Sequence, residues 1–184
     1  NAKVLVVGLG GVGSFAAEFL ARAGIGTMII ADGDVVDITN INRQLPALHS
    51  TIGQHKVELV GDRLMDINPE LKLTKINEFL EPERMEELIK SEKFDYVLMS
   101  AGGGTSKQFA PIFEKAGAIV IDNSSQWRMA NDVDLIVPEV NQPEFKRGII
   151  ANPNCSTIQS VVPLKVLYDA FGLKRVAYTT YQAV

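Results

Sequence analysis

Apolar runs and helical stripes take turns along this chain. Lys3 to Val7 reads as an apolar strand, and Val12, Phe15, Ala16, Phe19, Leu20 and Ala23 then recur at helical spacing. Thr27 to Ala31 reads as a second strand. Beyond a polar loop, Lys56 to Asp66 reads as a helix, Leu71 to Ile76 as a strand and Glu83 to Lys90 as a charged surface helix. Tyr96 to Met99 is the next strand, Ser106 to Lys115 the next helix and Ala118 to Ile121 the strand after it. Two short apolar runs, Leu135 to Val137 and Gly148 to Ala151, lead to a helix beginning near Cys155, and the last stretch, KRVAYTTYQAV, is β-rich. Such alternation predicts the α/β class, with a doubly wound parallel sheet covered by helices on both faces. The terminal β-rich stretch needs a sheet partner, because an isolated edge is a liability. We therefore expect residues 1–154 to form the sheet domain and 155–184 to be the truncated start of a second α/β domain.

Composition narrows the class without changing this picture. The chain has 184 residues, 46% of them hydrophobic and 22% charged, with a net charge of −4, which suits a globular protein and gives no reason to expect a nucleic acid partner. No stretch approaches the ~20 apolar residues of a membrane span, and no signal peptide pattern is present. The single cysteine, Cys155, excludes an intrachain disulfide and a multi-cysteine zinc site, so a reducing, cytoplasmic setting is expected. The first residue is Asn1 rather than Met, from which a trimmed start is expected.

The first chemistry lies between strand one and helix one. Gly8, Gly10 and Gly13 form G-x-G-x-x-G there, the context in which backbone N–H groups and a helix N-terminus approach a phosphate. Asp32 closes the second strand, placed to take a ribose hydroxyl. By themselves these residues point to a Rossmann-type fold and a bound mononucleotide or dinucleotide.

The surrounding text is more specific. GLGGVGSFAAEFLARAGIG, ADGDVVDITNINRQ, GQHK and DINPE resemble the adenylating enzymes related to ubiquitin activation, and within them the tRNA threonylcarbamoyladenosine dehydratases. The resemblance covers residues 3 to about 98. It implies ATP as ligand, with Gly10 and Gly11 at the phosphates, Asp32 at the ribose, and Asn40, Asn42, Arg43 and Lys56 around the triphosphate. Charge developing on phosphate oxygens during AMP transfer could be neutralised by Arg43 and Lys56. The family also holds magnesium with acids after the fourth strand, where this chain reads Met99, Ser100, Ala101 and Gly102; a lost magnesium site is therefore expected.

From about Tyr96 the resemblance changes. SAGGGTSKQFAP, KAGAIVIDNSSQWRM, LIVPEVN, GIIANPNCSTIQ and KRVAYTTYQAV resemble aspartate-semialdehyde dehydrogenase. That resemblance implies NADP as cofactor, faced by Ser100, Gly102, Gly103, Asn123 and Ser124, and Cys155 as nucleophile on an aldehyde, with Arg128, Asn154 and Gln182 binding or orienting substrate. Cys155 opens a helix, and a helix N-terminus lowers a thiol's pKa. Two features depart from that family. Neither His49 nor His55 lies in a motif matching its general base, and Asp32 would repel a 2′-phosphate, so that NAD is favoured over NADP if a dinucleotide binds.

The sequence thus reads as a hybrid of two Rossmann-type proteins with its seam near residues 95–100. Three functions are carried forward: a nucleotide-binding domain without complete catalysis, a dehydrogenase using Cys155, and an inert scaffold. A site without its acid–base group loses ~10²–10⁴ in rate, so no dehydrogenase turnover is expected. A small-molecule nucleotide is the expected partner, and a homodimer is left open.

Overall fold

The computed structural model describes residues 2–181. Its centre is a seven-stranded sheet in the order β3-β2-β1-β4-β5-β7-β6, parallel throughout. The strands are β1 (Lys3–Val7), β2 (Thr27–Ala31), β3 (Lys72–Ile76), β4 (Tyr96–Met99), β5 (Ile119–Asp122), β6 (Asp134–Leu135) and β7 (Ile149–Ala151). The helices are α1 (Gly13–Arg22), α2 (Lys56–Ile67), α3 (Pro82–Ser91), α4 (Gly103–Lys115) and α5 (Cys155–Phe171). This is the α/β, Rossmann-type architecture expected from the alternating pattern.

Side-chain alternation divides the core into two layers. Val4, Val6, Met28 and Ile30 point to one face and pack with Ala17, Val57, Val60 and Leu64 from α1 and α2. Leu5, Val7, Ile29, Val97, Met99 and Val120 point to the other, against Met85 and Leu88 of α3 and Phe109 and Phe113 of α4. Both layers are made of continuous apolar strands, as a sheet buried on two faces requires. β1 and β4 are neighbours, in register from Val4 with Tyr96 to Val7 with Met99. The strand order reverses there, and the crevice beyond the strand ends is where such folds bind ligands.

Three differences from the sequence reading have physical causes. Helix α4 begins at Gly103, three residues before the expected Ser106, because glycines of poor helix propensity form its first turn. β6 is Asp134–Leu135, earlier and shorter than the run Leu135 to Val137, since Val137 leaves the sheet and its N–H bonds to the Asn141 side chain instead. The terminal stretch expected to be β-rich carries no strand over its described part, 174–181, where no sheet edge reaches it; Gln182 and the two residues after it lie outside the described residues.

Candidate functional site

At the C-terminal ends of β1, β2 and β4 lies a cavity of about 280 Å³. Its floor is the turn after β1, held by the N–H of Gly8 bonding to the Ala31 carbonyl at 2.8 Å. Gly8 has a φ of +89°, which an L side chain rarely adopts, and a Cβ there would sit 2.5 Å from the Ser100 carbonyl oxygen. A Cβ on Gly13 would overlap the Gly8 carbonyl oxygen. These two glycines let strand, turn and helix close on one another. Gly10 is different: it lines the cavity, and a Cβ there would meet only the Gln44 side chain, at 3.9 Å. Its backbone is the part of the turn left open to a ligand. Gly11 lies under Arg43 and is not part of the cavity wall.

Asp32 reaches back over the turn. Its carboxylate accepts the Leu9 N–H at 2.6 Å and the Asp34 N–H at 2.7 Å, while still lining the cavity. The acid therefore fixes the glycine turn as well as facing whatever enters. Lys56, at the first position of α2, is only 4% exposed, and its Nζ donates to Asp34 Oδ2 at 2.8 Å. Asp34 is half-exposed, so a second anion could approach the same nitrogen.

The remaining predicted residues fall into three groups. Asn40 is buried and closes the 3₁₀ turn 38–40, its side-chain oxygen accepting the Asp37 N–H at 3.1 Å. Asn42 and Arg43 are exposed and bonded to each other, with Arg43 also donating to the Thr39 carbonyl, so both stand at the rim rather than in the wall. Ser100 lines the cavity beside Gly8, which brings a residue of the dehydrogenase-like text into the site of the adenylating-like half. Gly102 and Gly103 lie outside that wall, opening α4.

The rest gather beyond β5. Ser124 donates to Asp122 Oδ2 at 2.7 Å, and Arg128 donates to the Asn123 and Asn152 carbonyls, both at 2.9 Å. The Asn152 amide donates to Asn123 Oδ1 at 2.8 Å. Asn154 caps α5 by accepting the Ser156 N–H, leaving Cys155 exposed in the first turn. The structure thus brings Gly8, Gly10, Asp32, Lys56 and Ser100 together and keeps Asn123, Ser124, Arg128, Asn154 and Cys155 as a separate group. Gln182 lies outside the described residues.

The wall also contains residues that the motifs do not single out, among them Gln44, Asp34 and Phe79. Gln44 has a buried side-chain oxygen without a hydrogen-bond partner among the described residues. It ends the quoted ITNINRQ, so the motif contained the signal. Asp34 lies two residues after Asp32 and is the carboxylate partner of Lys56. Phe79 follows β3 with no motif around it; its ring packs so closely on Gly33 that a Cβ there would lie 2.7 Å from it. Among the described residues, no group of three or more His, Cys, Asp or Glu is arranged to hold a metal ion, and no helix is long and apolar enough to cross a membrane.

Two kinds of known protein resemble this chain. Aspartate-semialdehyde dehydrogenase of Aquifex aeolicus is 63% identical over 94 residues, which span 49% of this chain and 28% of that enzyme. The crystal structure of tRNA N6-threonylcarbamoyladenosine dehydratase from E. coli matches with a TM-score of 0.60 at 34% identity, over 67% of this chain and 50% of that one. Aspartate-semialdehyde dehydrogenase II of Vibrio cholerae matches with a TM-score of 0.58 at 30% identity, over 95% of this chain and 48% of that one. This chain therefore spans about half the length of these two solved structures, and less than a third of the Aquifex enzyme. The ThiF family matches residues 1–101, more than half of the chain, and with the adenylating-type sheet and turn in place the chain belongs to the ThiF family.

Proposed function

We propose that this protein binds an adenine nucleotide, ATP or AMP, in the cavity at the ends of β1 and β2, as a hybrid that completes no reaction by itself. One observation carries the reading: an enclosed ammonium, Lys56, faces the same cavity as the open Gly10 backbone and the Asp32 carboxylate. Those three groups suit a phosphate, a close backbone approach and a ribose hydroxyl. The E. coli dehydratase has been solved in complex with ATP and with AMP, which supports the same ligand class here. In this reading Arg43 and Asn42, exposed beside the wall residue Gln44, meet the outer phosphates, and Asn40 holds the turn that carries them. After β4 the chain offers Met99, Ser100, Ala101 and Gly102 where a metal-holding acid would stand, so the reading stops at binding and includes no AMP transfer. Calorimetric titration with ATP, AMP and NADP(H) tests it. Adenine nucleotide binding is expected; micromolar binding of NADP without ATP would overturn the proposal.

A second reading rests on Cys155, exposed in the first turn of α5 beyond its Asn154 cap. In it the thiolate attacks an aldehyde, Arg128 and Asn154 hold the substrate, and a dinucleotide lies along Ser100, Gly102, Gly103, Asn123 and Ser124. Arg128 already gives two donors to backbone carbonyls, which leaves part of its guanidinium for a substrate. Iodoacetamide labelling at neutral pH tests this reading. Labelling slower than that of a free thiol removes it.

A further inference from the structure

The cavity at the ends of β1, β2 and β4 continues into a second hollow of about 420 Å³. Val7, Phe79, Leu80 and Ala101 line both, so the two meet where the loop after β3 faces the turn after β4. The first hollow, at about 280 Å³, falls just short of the ~300–1,000 Å³ that ligand pockets span, so a nucleotide needs the neighbouring space as well. The two hollows differ in charge. Lys56 and the Gly10 backbone lie in the wall of the first, whereas the second has, among the described residues, Glu81 as its single charged side chain. Phosphates are therefore favoured in the first and repelled from the second, which is left for the uncharged end of the molecule.

The second hollow has the lining that a flat aromatic ring requires. Leu80 and Pro82 on the loop after β3, and Ala101 and Phe109 after β4, are apolar, while Phe79, 65% exposed, stands at the junction with its ring against Gly33. Such walls grip the faces of a base and leave its identity to the few polar groups that meet its edge. The uncharged polar side chains at this hollow are Thr105 and Gln108. They stand three residues apart on α4, neighbours on one face of the helix, and a hydroxyl and an amide can each both donate and accept. We propose that Thr105 and Gln108 read the edge of the adenine base, the Gln108 amide oxygen accepting from the 6-amino group and its NH₂ donating to the ring nitrogen beside it. The inference rests on the adenine nucleotide reading and assigns base selection to α4, in the dehydrogenase-like text, while Asp32 and Lys56 of the adenylating-like half hold sugar and phosphate.

Titration of the 184-residue chain with three related ligands provides the test: AMP, purine riboside 5′-monophosphate, which lacks the 6-amino group, and ribose 5-phosphate, which lacks the base. Affinity is expected to fall in that order. Gln108 is exposed, so Gln108→Leu should leave the far-UV spectrum unchanged. With two hydrogen bonds lost, it should weaken AMP ~10-fold, purine riboside monophosphate less, and ribose 5-phosphate not at all. Thr105→Val should weaken AMP ~3-fold and likewise spare ribose 5-phosphate. Equal AMP affinity in the wild type and in Gln108→Leu overturns the inference while nucleotide binding stands, as does an equal loss for AMP and ribose 5-phosphate. A wild-type chain that binds no AMP overturns the nucleotide reading and the inference together.

Discussion

Lys56 is enclosed, yet its one carboxylate partner is not. Removing the ammonium leaves Asp34 half in water, so Lys56→Met should cost little stability while removing a charge-assisted contact of about 1.5–3 kcal/mol to a phosphate. The expected result is a loss of ~10-fold or more in ATP affinity by calorimetry, with the melting temperature nearly unchanged. Gly13 should behave in the opposite way. A methyl group there meets the backbone oxygen of Gly8 and nothing can yield, so Gly13→Ala should destabilise by about 4 kcal/mol or more in urea unfolding. At this scale the sequence identified residues better than roles. Gly8, Gly10 and Gly13 form one motif, but Gly8 is packed against Ser100 and Gly13 against Gly8, whereas Gly10 has open space beside it, a distinction that depends partly on a contact from a distant part of the chain. Lys56 carries its expected place at the triphosphate in the motif, but its enclosure against Asp34 follows only from the folding of α2.

Among the elements, α4 is fastened to the segment before β7 by one ion pair. Arg147 forks onto the Glu114 carboxylate, which also accepts the Gly148 N–H at 2.8 Å, and stacks over Trp127 at 5.3 Å. The Arg147 hydrogen bond holds the Glu114 carboxyl below its ordinary pKa, despite the opposing effect of burial. A carboxyl depressed in the folded state adds stability above its unfolded value of about 4.3, and that stability is lost as pH falls through the lower folded value. Glu114→Gln should therefore flatten the acid side of the stability curve and leave its alkaline side unchanged, as read by urea unfolding across pH. Glu18, held down chiefly by Arg63 and also by Arg22, contributes to the same acid loss between α1 and α2. The elements themselves were largely legible, because period-two and period-3.6 patterns show wherever one face is buried. The boundaries that moved were those set by a backbone bond or a glycine turn, as at α4 and β6. The described part of the terminal stretch, 174–181, shows that β propensity alone makes no strand without an edge to join.

For the molecule as a whole, the two resemblances meet inside one sheet rather than between two bodies. β4 lies between β1 and β5, and Val97 and Met99 share a core layer with Leu5 from one side and Val120 from the other. The chain should therefore unfold from 1–154 as a single unit. The lone tryptophan, Trp127, reports on the dehydrogenase-like side while far-UV circular dichroism reports on all elements, and the two urea transitions should coincide. Separate midpoints would show that the sheet melts in two pieces. The fold was legible at this scale because both resemblances prescribe the same alternating sheet. The division of site residues into two groups was not, since it depends on which strand ends adjoin. The contact between Gly8 and the Ser100 carbonyl has a genetic consequence. A side chain introduced at position 8 can be accommodated only if the backbone at 100 and 101 withdraws, so a selection for suppressors of Gly8→Ala should return second changes in Ser100, Ala101 and Gly102. Compensation would then arise about ninety positions downstream, in text of different resemblance, and neither half could drift at this point without the other.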